Sequence, residues 1–224
     1  MKTDKHRPER SVSVCIRVYP WLIILLLLPP IAAAPEIVCA LGRGSASYKP
    51  AEDSRPSPDT MQLAGRLNAA VKAICAQNCP TMALFRNSTA PNLMLINDSG
   101  QAKIVYSPPF FAGAYDRFGD AGILAMIAHA YGHALDATLG ANWVQNTWPS
   151  EVRADAWAGC ILAKMDTSTL DPSLNALSSY PSPAHPSWSQ RLPALRTGYT
   201  NCGGDAAKFD RRKSRPAPSG TGWT

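Results

Sequence analysis

Apolar residues follow several different rhythms along this chain, and each rhythm predicts a different element. An unbroken apolar run from Val18 to Leu28 follows a basic stretch and precedes small residues. After a segment rich in Ser, Gly and Pro, Met61, Leu63, Leu67, Val71 and Ile74 recur at close to helical spacing. They predict an amphipathic helix that starts at Ser57-Pro58-Asp59 and ends near Gln77. Ser57 supplies a capping hydroxyl, Pro58 suits the first turn and Asp59 lies at the positive helix end. Three short apolar runs come next, Met82–Phe85, Leu93–Ile96 and Ile104–Tyr106, with the turn signal Asn97-Asp98-Ser99-Gly100 between the last two. They predict a small antiparallel sheet with one hairpin. From Gly119 to Leu139 the pattern is helical and strongly apolar, and Gly140 can end it. A third helix is predicted from Pro149-Ser150 to about Met165 and a last one from Ser187 to Tyr199, with prolines 172, 181, 183 and 186 between them. The fold class is α+β, mainly helical with a small antiparallel sheet and no internal repeat.

Length and composition restrict this to one domain: 224 residues, 46% hydrophobic, can bury one good core but not two. The first forty residues have the basic, apolar, small-residue order of a secretory signal. Their apolar run is short for a membrane span. Ala32-Ala33-Ala34 is followed by Pro35, which blocks processing, so cleavage is expected after Val38-Cys39-Ala40. The predicted organisation is a signal peptide at 1–40, a linker at 41–57, a folded domain at 58–202 and a disordered basic tail at 203–224. The protein is expected to be exported, periplasmic or secreted, with no stable membrane span after cleavage. Much of the +6 net charge lies in the two termini. No basic stripe interleaved with aromatics occurs between them, so nucleic acid is not an expected partner. Sequons at Asn87 and Asn97 carry meaning only in a host that glycosylates.

Cysteine usage agrees with export. Of the six cysteines, at 15, 39, 75, 79, 160 and 202, cleavage removes two and leaves four. An even number in an oxidising compartment implies disulfides. Cys75 and Cys79 are close enough at a helix end to pair, which leaves Cys160–Cys202 to tie the last helix to the one before it.

The chemistry concentrates in His129-Ala130-Tyr131-Gly132-His133. Histidines at i and i+4 project from one helix face, where both imidazoles can reach one tetrahedral ion. Their apolar, small neighbours predict a buried helix, and buried imidazoles need partners. Glu151 and Asp155 stand one turn apart on the next helix and need partners too. A third ligand from a separate helix completes a site with an open position.

These segments resemble the gluzincin zinc metallopeptidases, specifically the CAAX prenyl protease type and its soluble minimal relatives. That family has an HExxH helix, then a helix bearing E-x-x-A-D, then an H-P-x-x-x-x-R segment. This chain has His129 to His133, Glu151-Val-Arg-Ala-Asp155 and His185-Pro-Ser-Trp-Ser-Gln-Arg191 in that order. The resemblance implies a zincin-like domain in which His129, His133 and Glu151 bind Zn²⁺. Asp155 would orient a ligating imidazole. His185 and Arg191 would lie near the open position and stabilise an oxyanion. The chain departs from the family where the general-base glutamate should stand, because that residue is Ala130. Losing a positioned acid/base costs a factor of about 10² to 10⁴. The expected function is therefore an exported zinc-binding, peptidase-like protein with impaired catalysis that still grips an extended peptide or unfolded protein, by adding it to a sheet edge. Alternatives are an active endopeptidase with another base and a metal-free, disulfide-stabilised protein.

Overall fold

The computed structural model describes residues 35–42, 47–165, 170–180 and 184–210. Four strands form one sheet: β1 (Glu36–Leu41), β2 (Ala83–Arg86), β3 (Leu93–Asp98) and β4 (Gln101–Tyr106), in the order β1-β3-β4-β2. The predicted hairpin is β3–β4, and its turn places Ser99 and Gly100 at φ 53° and 85°. Positive φ at both central residues matches the twist of the flanking strands. The sheet is mixed rather than purely antiparallel, because β2 runs parallel to β4. The connection from β2 to β3 passes around the end of β4, where Asn87 N–H donates to Tyr106 O and Ser107 N–H to Asn92 O. Asn87 is fully buried there, and its amide donates to Lys49 O and Asp53. That sequon is occupied by structure.

The helices are α1 (Pro58–Cys75), α2 (Pro108–Thr138), α3 (Ser150–Lys164), α4 (Asp171–Ser179), α5 (Trp188–Asn201) and the short α6 (Ala207–Asp210). Helix α2 begins eleven residues before the predicted start and breaks at Gly119, whose φ of 61° is left-handed. Every residue from Gly122 to Leu135 is buried. A helix apolar on all sides belongs in the middle of a domain, and α2 lies between the sheet and the helices α3 and α4. Its approach to α3 is set by Gly132, where a Cβ would collide with the Ala154 carbonyl. Helices α3 and α5 cross at Gly159 and Gly198, and a Cβ on either would strike the opposing backbone.

Both predicted disulfides form, Cys75–Cys79 and Cys160–Cys202. They fit an oxidising compartment. Among the described residues no helix is long and apolar enough to cross a membrane.

Three boundaries differ from expectation. The linker is partly built into the sheet: Ser54 bridges Arg86, and Asp53 pairs with Lys103 at 2.9 Å. The tail is ordered to residue 210, since Phe209 is buried on the ring of Tyr199; residues 211–224 lie outside the described residues. At the other end β1 contains Val38-Cys39-Ala40, so the expected cleavage point falls inside a strand. The rest of the expected leader, residues 1–34, lies outside the described residues.

Candidate metal centre

Three elements and one connecting segment bring the polar groups together inside an otherwise apolar core. His129 and His133 stand one turn apart on α2, and Glu151 and Asp155 one turn apart on α3. Because Gly132 lets the two backbones touch, the carboxylates reach across to the imidazoles. His129 Nδ1 lies 2.8 Å from Asp155 Oδ1, and His129 Nε2 lies 3.1 Å from Glu151 Oε2. A carboxylate at Nδ1 keeps the proton on that nitrogen and leaves Nε2 free to bind a cation. His185, just before α5, places Nε2 2.8 Å from the same Glu151 oxygen.

The fourth group comes from β1. Cys39 Sγ lies 3.6 Å from His129 Nε2, 3.8 Å from Glu151 Oε2 and 3.9 Å from His185 Nε2. One ligand atom each from Cys39, His129, Glu151 and His185 lie within 4.8 Å of one another, and the group could hold a metal ion. Cys39 is the one free cysteine among the described residues. Its assignment to a leader hid it from sequence reasoning. Cysteine arithmetic does not single it out, because pairing the four later cysteines leaves both Cys15 and Cys39 over.

Charge is strongly coupled within this cluster. Burial opposes ionisation of Cys39, but the imidazoles around it, His129 foremost, outweigh burial and bring the thiol down to about 5. Burial likewise opposes charge on Glu151, yet the same three imidazoles hold its carboxyl far below the usual range. Burial disfavours a charged His129, but Asp155 raises its pKa well above the ordinary value. Without a metal, the anionic cage therefore gathers protons on its imidazoles. A divalent cation bound there would compete with those protons.

The remaining predicted residues take different places. His133 Nε2 is buried 3.4 Å from Glu151 Oε2 and makes no hydrogen bond. It borders the four-donor group as a third nitrogen, outside the four. His185 belongs to the donor group. Arg191 does not face an open position. Its Nε and Nη2 donate to Asp155 at 2.7 and 2.9 Å, and Nη1 donates to Leu177 O at 3.2 Å. It braces Asp155 from behind, because a buried carboxylate beside an imidazole needs a fixed counter-charge. Ala130 is 1% exposed and packs in the main core.

Compared with family models, with curated proteins and with solved structures, the chain matches none.

Proposed function

We propose that this is an exported zinc-binding protein of metallopeptidase-like design, whose centre is closed by a thiolate and lacks a general base. The observation that carries this reading is the four-donor cage. Four-coordinate zinc with bonds of about 2.0 to 2.3 Å separates its ligand atoms by about 3.3 to 3.6 Å. The donors here stand 2.8 to 3.9 Å apart in five of their six pairs, and all lie within 4.8 Å of one another. Two imidazoles, one thiolate and one carboxylate are the ligand types zinc takes. Zinc there would supply a cross-link between β1, α2, α3 and the segment before α5. Asp155 and Arg191 would hold His129 in the ligating tautomer. Ala130 has no group that could move a proton.

The order of the His129–His133, Glu151–Asp155 and His185–Arg191 segments supports descent from a gluzincin-type peptidase. With a donor in every position of a tetrahedron, the centre suits binding or structural support rather than hydrolysis. The two disulfides favour a second reading, a metal-free protein stabilised by those bridges.

Metal analysis separates the two. Protein refolded with zinc should hold about one ion per chain. With cobalt in its place, the near-ultraviolet thiolate-to-cobalt band should be present in the parent and absent in Cys39→Ser. Protein that keeps no metal would leave only the disulfide reading. A cobalt spectrum unchanged in Cys39→Ser would remove Cys39 from the ligand set.

A further inference from the structure

We propose that β1 is a displaceable covering strand, and that the surface beneath it takes an extended peptide with a thiol at the place of Cys39 and an apolar side chain two residues later. This rests on the metal reading above.

Strand β1 lies at the sheet edge and its ladder partner is β3. A ladder made of main-chain hydrogen bonds does not depend on which side chains the incoming strand carries. What distinguishes β1 is where two of its side chains go. Its register against β3 shifts between Ile37 and Cys39, so that Ile37 faces Ile96 and Cys39 faces Leu95. In a regular strand Ile37 and Cys39 would share a face. The bulge breaks that alternation. Ile37 and Val38 are left exposed at 42% and 44%, while Cys39 turns into the cage. Leu41, two residues on, is fully buried in the core. The strand therefore has one polar anchor and one apolar anchor, with Ile37 and Val38 exposed ahead of them.

The other three donors do not depend on β1. His129 comes from α2, Glu151 from α3 and His185 from the segment before α5. Withdrawing β1 leaves three ligands and an open fourth position, the arrangement of a site that accepts an exogenous ligand. It also frees the hydrogen-bonding edge of β3, whose Leu93 to Ile96 are buried at present. An open position beside an open edge is a docking site for an extended chain that brings its own donor. A cut after Ala40 would fall between the two anchors and remove Cys39 with the upstream half of the strand.

The test uses the full chain with Arg43–Ala46 replaced by the recognition sequence of a site-specific protease. After cutting, a fluorescent peptide with the sequence of residues 35–42 is added at rising concentration to the zinc-loaded protein. Saturable binding is expected to the cut form and about tenfold weaker binding, or less, to the uncut form. The Cys→Ser version of the peptide should bind about tenfold more weakly while zinc is present, and as well as its parent after chelation. In the uncut chain, Cys39→Ser should speed deuterium exchange of the amides of residues 37–41 by about tenfold and leave the β3–β4 hairpin unchanged. That measurement stands whether or not the cut form stays folded. Zinc-loaded cut protein that binds neither peptide, or both alike, overturns the proposal and leaves the metal reading intact, as does unchanged exchange at residues 37–41. Absence of bound zinc overturns both.

Discussion

Replacing Asp155 with alanine should damage the protein in two separable ways. The Asp155 carboxylate is fully buried, lies 2.8 Å from His129 Nδ1 and accepts two hydrogen bonds from Arg191. Truncating it leaves the Arg191 guanidinium inside the core with only Leu177 O of its present acceptors. Breaking a buried pair by removing one partner costs about 3 to 5 kcal/mol, because the other charge is then uncompensated. For a domain of this size each kcal/mol lowers Tm by about 2 to 4 °C, so the melting point should fall by about 6 to 20 °C. His129 also loses the group that fixes its tautomer, which should weaken zinc binding by about 10- to 100-fold. Thermal melts in chelator report the first effect and competition with a chelating dye the second. The variant Asp155→Ala with Arg191→Met tests the cause. It removes both charges, so most of the stability should return while zinc affinity stays low. A single variant within about 1 kcal/mol of the parent, with zinc affinity unchanged, would refute the bracing role. A double variant no more stable than the single one would show that the stranded guanidinium is not the source of the loss.

Two further perturbations test neighbouring features. Ala130→Glu restores the position of the missing base but buries a carboxyl in the core, which costs more than the roughly 1 to 3 kcal/mol of a neutral polar group. With Cys39 in place it should hold zinc yet leave casein intact. With Cys39→Ser added, chelator-sensitive hydrolysis should appear, and activity in the single variant would mean that Cys39 does not close the centre. Removing the Cys160–Cys202 bridge should cost about 4 kcal/mol and removing Cys75–Cys79 about 2 kcal/mol, from loop-closure entropy alone. The sequence separations are 42 and 4 residues. Equal losses in urea denaturation of the two paired-alanine variants would contradict an unfolded-state origin.

The features legible in the amino-acid order are local ones. Helical spacing placed α1, α3 and α5 to within a few residues, and Asn97 to Gly100 placed the hairpin, because each signal is written in adjacent turns. The same range covers His129 with His133 and Glu151 with Asp155, pairs one turn apart on one helix face. Cysteine arithmetic reached both disulfides once the leader was set aside. The first part of α2 and the whole of α4 were missed for one reason. Pro172 read as an interruption, and both elements open on proline, which is well tolerated in a first helical turn. The tertiary structure alone decided which groups meet. Cys39 and His129 are 90 residues apart, and Cys39 and His185 are 146 apart. No periodicity spans such distances. Arg191 could be seen as a charge in a motif, but its partner depends on α5 crossing α3 at Gly198 and Gly159. Residues 36–41 are short, apolar and small, a composition shared by the end of a leader and by an edge strand. Only pairing with β3 and the turn of Cys39 into a cage of imidazoles distinguish the two, and both are long-range contacts.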